Sequence, residues 1–241
     1  MTSSPSDTVV RLGGRLLIDG QLREAREGRT FALRNPATGK LLCEVAAADG
    51  ADVELAVRSA AQAQRSWANI PARERGKRLI AASQALATHA EELARLIALE
   101  SGKALRTECR PEAANVADIL QFFGGLASEL KGETVPLRPG LFSYTQVEPV
   151  GVVAVVLPWN VPLMLMAVKI APVLVAGNAV VVKSAEETPL SIVRAVELLG
   201  EHLPRAFSTS FPGRDPYAVP PWFVTRRWRR SRSPAPSRRA G

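Results

Sequence analysis

The residues best suited to chemistry in this sequence lie in two short polar segments. Asn160 carries a side-chain amide that can donate a hydrogen bond to an oxyanion. Lys183, Ser184 and Glu186 bring an ammonium, a hydroxyl and a carboxylate together in the second segment. Neither glycine-rich phosphate-binding motif, G-x-G-x-x-G or G-x-x-x-x-G-K-[ST], is present. These residue types favour a nucleotide or coenzyme site, provided that the fold brings the two segments together.

The pattern around these segments predicts a strand, a helix and a second strand. A β-branched run at residues 151–156 has the composition of a strand buried on both faces. Pro162 suits the first turn of an apolar helix with its body at residues 163–175, and Gly177 ends that helix. A second β-branched run occupies residues 179–182. We therefore expect an α/β fold built on a βαβ unit.

A βαβ unit would place both polar segments at one crevice, because the carboxyl ends of parallel strands lie at the same edge of an open sheet. A plainer interpretation also fits the residues. Trp159 and Asn160 suit a core aromatic and a turn amide, and Lys183 with Glu186 suits a solvated ion pair. The residue pattern alone leaves both interpretations open.

Three consecutive motifs in this stretch resemble the aldehyde dehydrogenase family. They are L-P-W-N at residues 157–160, A-G-N at residues 176–178 and V-V-K-S-A-E-E-T-P-L at residues 181–190. The resemblance implies the Rossmann-like open sheet of that family's coenzyme-binding domain. It also implies NAD(P)-dependent oxidation of an aldehyde to a carboxylic acid.

The resemblance assigns roles to individual residues. Asn160 would help to hold the oxyanion of a hemithioacetal, and Lys183 and Glu186 would bind the adenosine ribose. Ser184 replaces the family's usual proline, which leaves its loop less rigid. Three residues would line the coenzyme cleft: Leu157, Pro158 and Trp159.

The same resemblance sets expectations for cofactor, substrate and assembly. The cofactor would be NAD, with NADP possible, and Glu186 favours NAD because it would crowd a 2′-phosphate. The substrate would be a small-molecule aldehyde, and the full-length family implies a homo-oligomer. The family's nucleophilic cysteine and general-base glutamate lie beyond the point corresponding to residue 204. We therefore expect a truncated, inactive fragment whose strands lack partners encoded further on.

Composition excludes several other classes. A chain of 241 residues with 46% hydrophobic and 22% charged residues is typical of a soluble globular protein. Residues 1–7 have no apolar signal core, so we expect a cytoplasmic protein. The uncharged run at residues 149–168 is interrupted by proline and glycine, which argues against a membrane span.

Cysteine usage argues against a disulfide framework or a zinc site, since the chain has only two cysteines and two histidines. Cys43 lies in a strand pattern. Cys109 lies in a helical pattern beside Arg106 and Arg110, which could lower its pKa. Because no histidine adjoins Cys109, we interpret both cysteines as structural.

The chain divides into four predicted parts. Residues 1–8 form a disordered N-terminus, and residues 9–204 form the N-terminal part of the coenzyme-binding domain. Residues 141–150 within it match the family's projecting oligomerisation strand, and residues 205–241 form a disordered tail rich in arginine and proline.

The remaining patterns predict further elements of the main part. A turn at Asp19-Gly20 indicates a hairpin, and either Asp49 or Asp52 could cap the first of the long helices. Phe122 and Phe123 are expected in the core. The other predicted strands and helices span residues 30–33, 41–45, 72–87, 91–101 and 189–202.

The tail allows two interpretations. Its nine arginines and single aspartate account for the whole net charge of +8, and with Trp222 and Trp228 they could bind nucleic acid. Translation in the wrong frame is the interpretation that we favour. Suitable codons for residues 204–241, read in another frame, restore the family's V-x-F-T-G motif. Nucleic-acid binding is thus not expected, although a noncatalytic dinucleotide-binding or partner-binding fragment with a basic tail is the alternative.

Overall fold

The computed structural model describes residues 5–203 and the backbone of residues 207–210. The described part is an α/β fold, as the sequence predicted. Two β-hairpins, a layer of helices and a parallel sheet follow one another along the chain. Among these residues, no helix is both long enough and apolar enough to cross a membrane.

The N-terminal segment begins with a helix, α1 (Pro5–Leu12), where disorder was predicted over residues 1–8. Thr8 is fully buried, and its Oγ1 donates a 2.8 Å hydrogen bond to Oε1 of Glu92. The prediction was wrong for the second half of that range because a long-range contact stabilises the helix, and local composition does not reveal it. The first four residues lie outside the described part of the chain.

Two antiparallel hairpins follow, as predicted. Asp19 and Gly20 have φ angles of 55° and 69°, the left-handed conformations that a two-residue hairpin turn of type I′ requires. Asn35 stabilises the turn of the second hairpin, because its Oδ1 accepts a 2.9 Å hydrogen bond from the N–H of Ala37. The strands are β1 (Leu16–Ile18), β2 (Gln21–Arg23), β3 (Thr30–Arg34) and β4 (Leu41–Ala46).

The helical layer contains α2 (Gly50–Ala68), α3 (Ala72–Thr88), α4 (Ala90–Ser101) and α5 (Arg110–Gly125). A π-helical turn (Leu105–Cys109) precedes α5, and a 3-10 turn (Leu126–Glu129) follows it. Asp49 caps α2, because its Oδ1 accepts hydrogen bonds from the N–H groups of Ala51 and Asp52. The Asp52 carboxylate in turn accepts a hydrogen bond from the N–H of Asp49, so both candidate caps take part in one capping box.

A parallel three-stranded sheet forms the second half of the described chain. Its order is β5-β6-β7, with Val152 opposite Ala179 and Val156 opposite Lys183. The elements are β5 (Val152–Val156), α6 (Pro162–Val175), β6 (Ala179–Lys183), α7 (Pro189–Gly200) and β7 (Phe207–Ser210). The predicted strand–helix–strand unit is therefore confirmed.

The strand β7 corrects two expectations. Its residues lie in the predicted disordered tail, yet they pair in parallel with β6, with Val180 opposite Phe207. The expectation of missing partners was also wrong for β6, which is paired on both sides, whereas β5 has one partner among the described residues. Strand pairing satisfies main-chain groups and does not need the periodic side-chain pattern that the tail lacks. The rest of the tail lies outside the described residues.

The two strands of the βαβ unit differ in burial. Residues 179–182 of β6 are buried. In β5 only Val155 is buried, and Val156 is 50% exposed. The prediction of burial on both faces was wrong for β5, because a strand at the edge of the described sheet has fewer neighbours than a central one.

Residues 141–150, predicted as a projecting strand, form only an irregular ribbon. A single bridge joins Thr134 to Tyr144, and the N–H of Val135 donates a 2.9 Å hydrogen bond to the carbonyl of Ser143. Phe142 is 75% exposed. Alternating residues need a covering layer to form a half-buried strand, and the described residues provide none here.

Phe122 was predicted in the core but is 61% exposed. Phe123 is partly buried and packs edge-to-face against Phe122 with ring centroids 5.3 Å apart. An aromatic residue at helical spacing is consistent with either face of α5, and tertiary packing turned this one outward.

Candidate functional site

A cleft of about 880 Å³ opens at the carboxyl ends of β5 and β6. The first polar segment contributes Trp159 and the second contributes Lys183 and Glu186, so three of the predicted site residues line one cavity. The facing wall comes from β3, including Leu33 and Arg34. The topology brings the segments together because β5 and β6 are parallel neighbours.

Lys183 and Glu186 form a pair inside this cleft. Lys183 Nζ lies 3.2 Å from Glu186 Oε1 and 3.3 Å from the carbonyl oxygen of Ser184. The two side chains are 20% and 29% exposed, so both still reach solvent. An ammonium with three donors beside a carboxylate that accepts several bonds offers complementary partners to the two hydroxyls of a ribose diol.

The first loop, residues 157–161, places its side chains in different directions. Leu157 is 3% exposed and lies outside the cleft lining, whereas Trp159 is 57% exposed and lines it. Pro158 and Asn160 are exposed and also lie outside the cleft lining. Of the three residues expected to line the cleft, the structure therefore places only Trp159 there.

Asn160 is held through its main chain. Its carbonyl oxygen accepts a 3.1 Å hydrogen bond from Lys103 Nζ. Its side-chain amide makes no hydrogen bond to the part of the chain that the structure describes. The amide donor is thus free of partners among the described residues, although Asn160 itself does not line the cleft.

Ser184 is fully buried and does not line the cleft. Its carbonyl oxygen accepts a 3.3 Å hydrogen bond from Lys183 Nζ. A serine at this position thus contributes to the site through its backbone.

Glu100 lies in the lining of the cleft and was missed as a functional residue. Its carboxyl accepts hydrogen bonds from the N–H of Leu190 at 2.8 Å and from the N–H of Ser191 at 3.1 Å, and it also bonds the Ser191 hydroxyl. Burial raises the pKa of the Glu100 carboxyl to about 8. Thr188 occupies the N-cap position of α7 without capping it, and its hydroxyl has no partner among the described residues. Glu100 serves as the cap instead.

Glu112 has the same role at α6. Its Oε1 accepts a 2.9 Å hydrogen bond from the N–H of Leu163, and its Oε2 lies 2.8 Å from Lys103 Nζ. Pro162 and Pro189 at the helix starts were a visible signal that these helices need partners for their first free N–H groups. The partners themselves come from α4 and α5, at separations that no local motif indicates.

The cysteines take no part in the cleft. Burial raises the pKa of the Cys43 thiol to about 11 and also raises the pKa of Cys109. Cys109 is fully buried and its thiol donates to the carbonyl of Lys103 at 3.6 Å. Arg110, a neighbour that could have lowered its pKa, instead pairs with Glu91 at 2.8 Å. The structural interpretation of both cysteines stays a prediction, which the burial of Cys109 supports.

Comparison with known proteins decides the family. The model of the aldehyde dehydrogenase family matches residues 23–219. This chain belongs to the aldehyde dehydrogenase family. The match also extends past residue 204, where the sequence was expected to leave the family.

Solved structures of other proteins share this fold. PnpE from Pseudomonas sp. WBC-3 is 38% identical over 83% of this chain and 42% of its own, with a TM-score of 0.80. A structure of PnpE in complex with nicotinamide adenine dinucleotide is 39% identical over 83% and 41%, also with a TM-score of 0.80. The NAD+ complex of aldehyde dehydrogenase from Bacillus cereus is 31% identical over 90% and 45%, with a TM-score of 0.85. The chain thus spans less than half the length of these three solved chains.

Proposed function

We propose that this chain forms the coenzyme-binding part of an NAD-dependent aldehyde dehydrogenase, which oxidises an aldehyde to a carboxylic acid. The observation that carries the proposal is the convergence of Trp159, Lys183 and Glu186 on one cleft at the carboxyl ends of two parallel strands. Family membership and the two relatives solved with this dinucleotide support it.

The residues of the cleft fit the coenzyme. The Lys183 ammonium and the Glu186 carboxylate would hold the two hydroxyls of the adenosine ribose, one as donor and one as acceptor. The exposed indole of Trp159 would form an apolar wall. When bound, the nicotinamide supplies a hydride acceptor. Asn160 would donate its amide to the oxygen that becomes negatively charged on the substrate.

NAD is the expected form of the coenzyme. Glu186 and Glu187 both line the cleft, so two carboxylates would face a 2′-phosphate on the ribose. Repulsion between like charges in a partly enclosed space disfavours NADP.

We expect no aldehyde oxidation by this chain alone. Covalent catalysis by this family needs a reactive thiolate. Cys43 and Cys109 have raised pKa values, and neither lines the cleft. Turnover of an aldehyde with NAD by the purified chain would contradict this part of the proposal.

Three further expectations remain proposals. Residues beyond about 204 would be encoded out of frame, and the coding DNA read in the neighbouring frame should then contain V-x-F-T-G. An early stop codon in that frame would reject the idea. The homo-oligomer and the cytoplasmic location implied for the full-length protein likewise stay predictions.

Calorimetric titration of the chain with NAD tests the coenzyme site. Removing the Lys183 charge with Lys183→Met should weaken binding about tenfold, since one charge-assisted hydrogen bond is lost. Lys77→Met is the matched control, because Lys77 pairs with Glu74 at the same three-residue spacing on an exposed helix surface. Equal NAD affinity of the Lys183→Met variant and the wild type would overturn the proposal.

A further inference from the structure

Lys103 connects the helical layer to the first loop of the cleft. Its Nζ lies 2.8 Å from Glu112 Oε2 and donates to the main-chain carbonyl of Asn160 at 3.1 Å. The Glu112 side chain is 3% exposed and that of Lys103 is 20% exposed. A buried carboxylate needs a compensating charge, and Lys103 supplies it.

The other oxygen of Glu112 fixes the start of α6. Oε1 accepts from the N–H of Leu163 at 2.9 Å. Pro162 has no N–H, and the N-cap residue Val161 makes no side-chain cap. The cap of α6 therefore comes from α5, and one lysine–glutamate pair fixes the backbone at both Asn160 and Leu163.

Lys103 is itself placed by its neighbours. Gly102 ends α4 in the left-handed conformation with φ 74°, and a Cβ there would lie 2.8 Å from Cγ of Pro36. The carbonyl of Lys103 accepts from the Cys109 thiol at 3.6 Å. Because its main chain is fixed in this way, the Lys103 side chain extends towards the first loop from a well-defined backbone position.

We propose that Lys103 is a positioning residue, which sets the conformation of the first loop through Glu112 and the Asn160 carbonyl. Lys103 does not line the cleft and need not touch coenzyme or substrate. Its importance for the reaction rests on the proposed function, in which Asn160 is the oxyanion donor. The contacts of Lys103 with the loop are independent of that function.

Hydrogen exchange of the purified chain, measured without nucleotide, tests the proposal. Lys103→Met should speed exchange in residues 157–163 about tenfold, because a charge-assisted hydrogen bond is lost. Exchange in β6 should not change. Lys103→Arg keeps the charge and should restore slow exchange. Lys131→Met is the control, because Lys131 forms an exposed pair with Glu129 at 2.8 Å.

If the Lys103→Met variant does not fold, a second variant tests the positioning role. Glu112→Gln keeps an acceptor for the N–H of Leu163 but removes the charge that holds Lys103. It should also speed exchange in residues 157–163. Unchanged exchange there in the folded variants, or an equal increase throughout the chain, would overturn the positioning role.

NAD titration of the same samples separates the two proposals. If exchange in residues 157–163 is faster in the variants but the wild-type chain does not bind NAD, the coenzyme site is rejected and the positioning role is supported. NAD binding together with unchanged loop exchange in the Glu112→Gln and Lys103→Met variants would reject only the positioning role. Faster exchange accompanied by weaker NAD binding supports both proposals.

Discussion

The main-chain N–H of Leu157 donates a 2.9 Å hydrogen bond to the carbonyl oxygen of Lys183. The bond continues the β5–β6 ladder past its last register pair, Val156 with Lys183. It fixes the origins of the two polar segments relative to each other, so Trp159 and Lys183 reach the same cleft. The Leu157 side chain points away into the core and anchors this connection.

Truncation of the anchor should therefore loosen the cleft. Leu157→Ala removes a nearly fully buried side chain, and we expect a loss of about 2–4 kcal/mol in the free energy of unfolding. Urea denaturation followed by circular dichroism measures it. Leu137→Ala is the control, because Leu137 is 62% exposed and should change stability by less than about 0.5 kcal/mol. Equal stabilities of the two variants would contradict the anchoring role.

Because of the buried carboxyl of Glu100, we expect the free energy of unfolding to fall as pH rises. Burial raises its pKa to about 8 in the folded chain, so the folded state binds a proton more tightly than the unfolded state does. The stabilisation is complete below a pH of about 4.5 and is lost as pH rises through about 8. Within that window the slope approaches about 1.4 kcal/mol per pH unit.

Glu100→Gln should flatten this dependence, because glutamine resembles the neutral acid and does not ionise. Denaturation at several pH values between about 5 and 8 measures the slope of stability against pH. This is the interval in which protonation of Glu100 affects the free energy of unfolding. Glu187→Gln is the control, since Glu187 lines the same cleft but is exposed. An undiminished slope in Glu100→Gln would show that another group causes the pH dependence.

Two glycines of the helical layer should differ sharply in their tolerance of alanine. A Cβ on Gly76 would lie 2.4 Å from the carbonyl oxygen of Gly124, where α3 and α5 pack closely. Gly76→Ala should thus cost about 1–3 kcal/mol of stability. Gly125 has nothing within 4 Å of such a Cβ, so Gly125→Ala should be neutral or stabilising. Thermal denaturation compares the variants, and equal midpoints would rule out the close crossing.

The cysteines should be slow to alkylate in the folded chain. A pKa of about 11 at Cys43 leaves roughly one ten-thousandth of the thiol ionised at pH 7. Cys109 is fully buried, and Cys43 is partly buried. Mass spectrometry after iodoacetamide treatment should find both thiols unmodified in the native chain and alkylated in denaturant. Rapid native alkylation of either cysteine would reopen the question of a nucleophile.

Local signals in the sequence predicted the βαβ unit well. Proline at the first turn of α6, glycine after its end and β-branched runs on both sides act within a few residues. The capping box of Asp49 and Asp52 is local in the same way. Such features depend on main-chain geometry and nearby hydrogen bonds, which the order of residues specifies directly.

Burial and remote contacts were predicted less well. Alternation at residues 141–147 and the position of Phe122 in a helical pattern both suggested packing, but neither pattern identifies what would cover it. The capping roles of Glu100 and Glu112 were missed for a related reason. Their partners lie 90 and 51 residues away, respectively, along the chain.

The sequence by itself determined the family motifs, the βαβ unit and the Lys183–Glu186 pair, because spacing of three residues already brings two side chains together. Only the tertiary structure decided that Trp159 shares their cleft while Leu157 lies in the core, and that Lys103 holds the Asn160 carbonyl. These outcomes depend on how parallel strands align and how helices from another part of the chain pack against them. Such contacts are stabilised by interactions between residues far apart in sequence, and a local sequence pattern does not predict them.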